Sequence, residues 1–147
     1  MKLVVDTNIL FSFFKKDSFT QKLIVDSSLE LISPELALEE LEKYSEELSI
    51  KSKIPIDDIN LMFSLLKEYV EFVPLTKYKN GFKTALKFAK NFEQKEVDEF
   101  LDDIDFFALA LKKDCAIWSK DALFKKQSVI KVFDTTELAK YFKTRKL

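Results

Sequence analysis

Five short apolar runs, separated by stretches with helical periodicity, set the class of fold open to this chain. Residues 2–5 (Lys-Leu-Val-Val), 29–32 (Leu-Glu-Leu-Ile), 70–73, 115–118 (Cys-Ala-Ile-Trp) and 130–133 have the length and composition of buried strands. Ile9, Leu10, Phe13 and Phe14 recur at helical spacing after the first run. Pro34 suits the first turn of a long helix reaching about Ile50, and another helix is expected from Ile56 to Tyr69. Phe82, Ala85, Leu86, Ala89 and Phe92 mark one face of a further helix. Ile104, Phe107, Ala108 and Leu111 form an amphipathic stripe beginning near Asp102 or Asp103. A terminal helix is expected after a cap at Asp134 or Thr135. Strands alternating with helices imply an α/β fold, a parallel sheet with helices on both faces. No linker or repeat divides residues 1–147, so one domain is expected.

The residues the chain lacks exclude whole classes of chemistry. It has no His, which removes Ser-His and Cys-His nucleophile pairs and His-ligated zinc. Its one glycine, Gly81, cannot build a phosphate-cradling loop or a dinucleotide fingerprint. Carboxylates, lysines and hydroxyls remain. The net charge of -1 means that a nucleic-acid partner cannot be argued from overall charge. The lone Cys115 forms no internal disulfide and reads as a buried strand residue, which suits a reducing compartment. No run reaches transmembrane length, and the apolar run stopped by Asp6 is too short for a signal peptide, so the expectation is a cytoplasmic protein with no membrane partner.

In a parallel α/β sheet, ligands collect beyond the carboxyl ends of the strands, and four acids fall where that edge is expected. Asp6 ends the first strand. Glu40 lies in the helix after the second, Asp103 opens the helix before the fourth, and Asp121 follows that strand in Trp118-Ser119-Lys120-Asp121. Converging acids without His suit a hard cation such as Mg²⁺ or Mn²⁺, and such a site suits phosphodiester hydrolysis. Each acid also has a plainer reading. Asp6-Thr7-Asn8 can cap a helix, Glu39 and Glu40 can face solvent, Asp102, Asp103 and Asp105 can complement a helix dipole, and Asp121 and Ser119 can cap a turn. With Ala37, Leu38, Leu41 and Tyr44 inward, Glu40 would flank the buried face and Glu39 point away. Lys83, Lys87 and Lys90 form a basic stripe that reads as a solvated face, as do Lys143, Arg145 and Lys146, while Trp118 and the many Phe read as core.

The segments Val4-Val5-Asp6-Thr7-Asn8-Ile9-Leu10, Glu39-Glu40-Leu41, Asp103 to Leu111 and Ile117-Trp118-Ser119-Lys120-Asp121 resemble, in order and spacing, the PIN-domain nucleases. Their form is most similar to a stand-alone prokaryotic branch. The resemblance implies a three-layer α/β/α domain with a central, mainly parallel five-stranded sheet. It implies a metal site of Asp6, Glu40, Asp103 and Asp121, supported by Asn8 and Ser119, loaded with Mg²⁺ or Mn²⁺. It further implies endoribonuclease activity on RNA, a homodimer, and the toxin role of a VapC-type toxin–antitoxin pair, with an antitoxin protein as partner. Asp105 stands where this branch often has Pro, which leaves Asp103 and Asp105 as alternatives for the inward acid. The doubled Glu39-Glu40 leaves the second acid open in the same way. A PIN-fold binding module without activity is the competing reading. A phosphotransfer domain of receiver or haloacid-dehalogenase type fits less well, since residue 8 is Asn and only Asp6 follows the first strand.

Overall fold

The computed structural model describes residues 1–15, 18–26 and 28–145, with side chains as far as Phe142. Strand β1 (Lys2–Val5) leads into helix α1 (Thr7–Phe11), a 3-10 turn over Ser12–Phe14 and α2 (Phe19–Ile24). Strand β2 (Glu30–Pro34) is followed by α3 (Glu35–Lys43), α4 (Ser45–Ser52) and α5 (Ile56–Tyr69), and then by β3 (Val70–Val73). After it come α6 (Phe82–Leu86), α7 (Val97–Asp102), α8 (Ile104–Lys113), β4 (Ala116–Trp118), β5 (Val132–Phe133) and α9 (Thr135–Arg145).

The strands form one parallel sheet in the order β3-β2-β1-β4-β5. The expected α/β/α architecture with a five-stranded sheet is therefore borne out. β1 lies in the middle, with Leu3 opposite Leu31 and Ala116, and Val5 opposite Trp118. Its Leu3, Val4 and Val5 are fully buried, as a strand covered on both faces requires, which is why it reads as an unbroken apolar run. The chain steps outward from β1 through β2 to β3, then crosses back to β4 on the other side of β1. Right-handed crossovers place α1 to α5 on one face and α6 to α8 on the other. The reversal falls between β1 and β4, and their carboxyl ends open a crevice there.

Aromatic side chains fill the layer under α8. Phe88, Phe100, Phe107 and Phe124 meet ring to ring at 4.8–6.0 Å and each is nearly fully buried. Burying one such side chain stabilises the fold by about 1.5–3 kcal/mol. Gly81 is needed for close approach: a Cβ there would collide with the backbone carbonyl of Ala108 on α8. Trp118 is core, as expected, with its indole N–H donating to Thr135 Oγ1 at 3.1 Å. Cys115 sits just before β4, and burial pushes its thiol up to about 11, leaving it unreactive at neutral pH.

Several elements differ from the sequence expectation. The long helix after Pro34 breaks at Tyr44 (φ −100°, ψ 19°), whose N–H reaches back to Leu41, and the bend lays α4 against α5. The helix expected through Phe92 tightens into a 3-10 helix over Lys87–Asn91. The last strand is shorter than the apolar run that marked it, and α2 and α7 were not anticipated. Among the described residues, no helix is long and apolar enough to cross a membrane.

Candidate metal centre

Asp6 is the last residue before α1 and lies at the mouth of the β1–β4 crevice, with its backbone N–H donating to the Trp118 carbonyl at 3.1 Å. One carboxylate oxygen accepts from the N–H of Ile9 at 2.9 Å, so Asp6 does cap the helix. The other accepts a short hydrogen bond from the hydroxyl of Ser119. Ser119 Oγ in turn accepts from the N–H of Asp121 at 3.0 Å, and Asp121 caps the 3-10 helix over Ala122–Lys126 through Leu123 N–H. The capping readings of Asp6, Ser119 and Asp121 are thus realised, and the same hydrogen bonds draw the three residues together.

Asp103 occupies the joint between α7 and α8 at φ −102°, ψ 4°, and makes no side-chain cap of its own helix. Its carboxylate faces Asp121, with Asp6 beyond. A third acid completes the group: carboxylate oxygens of Glu99, Asp103 and Asp121 lie within 4.8 Å of one another. Glu99 was not singled out from the sequence. The signal available was its position one helical turn before Asp103, on a segment where Val97, Phe100, Leu101 and Ile104 repeat at helical spacing. Lys126 pairs with Glu96 at 2.5 Å, tying the turn that carries Asp121 to the segment that carries Glu99.

Electrostatics mark the cluster as a site that favours an added positive charge. Burial raises Asp6 to about 6, against the pull of the Ser119 and Ile9 donors, and the charge of Asp121 adds to the rise. Asp103 is raised further, to about 7, first by burial and then by Asp121, Asp6, Glu99 and Asp102. Glu99, although exposed, is raised by partial loss of its water shell and by Asp121. An all-oxygen donor set with mutual repulsion fits a hard divalent cation, which would replace the protons these acids otherwise retain.

The remaining sequence candidates lie around this group. Glu40 is exposed and accepts a long hydrogen bond, 3.4 Å, from Thr7 Oγ1, which places it beside α1 but outside the Glu99–Asp103–Asp121 trio. Ala37 and Leu41 are buried as expected, whereas Tyr44 is 38% exposed. Asp105 turns away from the crevice: it accepts from the buried Tyr78 hydroxyl at 2.7 Å, and Glu35 and Glu39 lie near enough to that phenol to raise its pKa. Asn8 is exposed and lines a cavity toward α4. Lys83, Lys87 and Lys90 are exposed, while Lys146 and the side chains of Lys143 and Arg145 lie outside the described residues.

No curated protein matches this sequence. Among solved structures the fold is similar to a chain of the VapBC2 structure from Rickettsia felis, which is described as bound to a DNA fragment from its promoter. The TM-score is 0.65 at 12% identity, and the match spans 91% of this chain and 98% of that one. At that identity the likeness establishes the fold. The sequence itself matches the PIN domain over residues 4–143, nearly its whole length and including all the acids of the crevice. The chain belongs to the PIN-domain family.

Proposed function

We propose that this protein is a divalent-metal-dependent endoribonuclease acting as the toxin of a toxin–antitoxin pair, working as a homodimer and held in check by an antitoxin protein. The observation that carries the reading is the gathering of Asp6, Glu99, Asp103 and Asp121 at the β1–β4 reversal, with Asp6 and Asp103 raised toward neutral pH. Membership of the PIN-domain family supports nuclease chemistry, and the likeness to the VapBC2 structure supports the toxin role and the antitoxin partner.

Asp6, Asp103 and Asp121 would hold Mg²⁺ or Mn²⁺, with Glu99 beside them and Glu40 reaching in from α3 when substrate arrives. The ion would supply positive charge to stabilise the developing negative charge on a phosphodiester in the transition state. The chain's own residues set up that chemistry. Ser119 fixes the orientation of the Asp6 carboxylate and, by accepting the Asp121 N–H, fixes the turn that aims Asp121. Asp103, which caps no helix, holds its proton up to about pH 7 and would give it up in exchange for a cation's charge. Asn8 would support the water or phosphate at the rim.

The test is thermal unfolding with and without millimolar Mn²⁺ or Mg²⁺, followed by RNA cleavage, for the wild type, Asp6→Asn and Asp103→Asn. At ten times its Kd a cation that binds only the folded state stabilises it by about 1.4 kcal/mol, a melting shift of about 3–5 °C for a domain of this size. A shift and cleavage in the wild type alone support the reading. The exposed position of Glu40 favours a second reading, a PIN-fold binding module without activity, which predicts RNA or protein binding with no cleavage and no dependence on Asp6.

A further inference from the structure

A cavity of about 700 Å³ opens between α1 and α4, and its size is that of a ligand cleft. Asn8, Phe11 and Lys15 line one wall, and Tyr44, Glu47 and Lys51 line the other. One wall connects to the acid centre along the chain, and the other is joined to α1 by a side-chain hydrogen bond. Asn8 stands two residues beyond Asp6, and the other wall begins at Tyr44, the residue ending α3, which Thr7 ties to α1 through Glu40.

The chemistry of the walls is unlike that of the crevice. Tyr44 is 38% exposed, meets Phe11 at a tilt with 6.4 Å between ring centroids, and has Lys43 Nζ 5.8 Å from its own centroid. Among the described residues, Lys15 and Lys51 form no ion pair and Glu47 is the one acid on the cavity wall. Four carboxylates at the centre repel a phosphodiester, and a net charge of -1 gives no general attraction, so the strand needs attachment close by. An exposed aromatic ring with lysines on the same groove is the arrangement that binds unpaired nucleotides, through base stacking and phosphate contacts.

We propose that this groove seats the single-stranded RNA flanking the bond to be cut, with one base stacked on Tyr44 and backbone phosphates beside Lys15 and Lys51. The inference rests on the ribonuclease reading and adds the path of the substrate. A peptide occupant would explain the apolar part of the walls but not the two lysines on them.

The experiment measures fluorescence anisotropy of a short, labelled, mixed-sequence single-stranded RNA binding to the full chain, in an Asp103→Asn background that prevents cutting. Tyr44→Ala is expected to weaken binding about tenfold, within the range for loss of one stacked base, while Tyr44→Phe stays within about twofold of the parent. Lys15→Ala and Lys51→Ala are each expected to lower the slope of log K against log salt by about 0.7. Lys83→Ala, on the exposed stripe, should change neither quantity. Melting temperature checks that each variant is folded, and the two lysine variants test the groove even if Tyr44→Ala does not fold. If Tyr44→Ala and Lys51→Ala fold and bind like the parent, the inference is overturned, the ribonuclease reading stands, and the groove passes to a peptide partner. If the folded parent binds no RNA at all, the ribonuclease reading falls and the inference with it.

Discussion

Replacing Asp103 with Asn should make the metal-free protein more stable at neutral and alkaline pH. Asp103 ionises at 3.8 in an open chain and at about 7 in the fold, because burial and the charges of Asp121, Asp6 and Glu99 oppose its ionised form. That interval of roughly three pK units corresponds to about 4 kcal/mol of strain once the group is ionised. Asp103 is only partly buried, and solvent screening reduces the figure to about 2 kcal/mol. The sign follows from proton linkage. Between pH 4 and 7 the folded state binds more protons at this position than the unfolded state, so wild-type stability falls as pH rises and levels off above the folded pKa. Asn keeps the shape and carries no charge, and no cap hydrogen bond is lost. The advantage of Asp103→Asn should therefore be absent near pH 4, grow across the interval and reach about 2 kcal/mol at pH 8. Urea unfolding in the presence of a chelator, repeated from pH 4 to pH 8, measures it. A variant that is less stable than wild type at pH 8 would refute the argument and make Asp103 a structural joint between α7 and α8.

Three further outcomes follow from the same geometry. Glu99→Gln should weaken Mn²⁺ binding about tenfold, while Glu40→Gln, outside the close trio, should change it far less; titration calorimetry decides, and the reverse order would remove Glu99 from the centre. Ser119→Ala deletes a donor that holds Asp6 down, so Asp6 should titrate above about 6 and Mn²⁺ affinity should fall more at pH 6 than at pH 8. An equal loss at both values would mean that Ser119 acts through the Asp121 turn alone. Gly81→Ala should cost about 1–3 kcal/mol by forcing the backbone away from Ala108, seen as a melting temperature lower by about 3–10 °C; an unchanged value would show that the packing relaxes freely.

The central strand β1 was legible because it is covered on both faces, so Leu3-Val4-Val5 appears as a short apolar run, while the edge strand β3 showed as β-branched and aromatic residues around an exposed Glu71. Helix α5 was legible end to end, bounded by Pro55 before it and the β-branched Val70 after it. The break at Tyr44 was not, because Ser45-Glu46-Glu47 continues a good helical composition and only contact with α5 reveals the bend. Asp6, Asp103 and Asp121 could be placed from strand ends and helix starts, since the fold class dictates where those points meet. The choice between Asp103 and Asp105 needed the position of Tyr78, a buried hydroxyl 27 residues earlier in the chain. Glu99 was not legible because it sits among Glu93, Glu96, Asp98, Asp102 and Asp103, where charge alone does not separate one acid from the next. Glu40 shows the limit of helix-facing arguments, because a residue flanking a buried stripe can still stand in solvent.

The place of β1 between β2 and β4 has a consequence for the chain as it is made. Asp6 leaves the ribosome 115 residues ahead of Asp121. At roughly 5–20 residues per second that gap lasts on the order of 6–23 seconds. During it β1, β2 and β3 can pair while the other edge of β1 waits for β4, and Asp6 has neither Ser119 to orient it nor Asp121 beside it. The carboxylate cluster comes into being only as β4 docks. A product cut short before that strand keeps Asp6, Glu99 and Asp103 but lacks Ser119 and Asp121, so premature termination and partial proteolysis leave fragments in which the centre is incomplete.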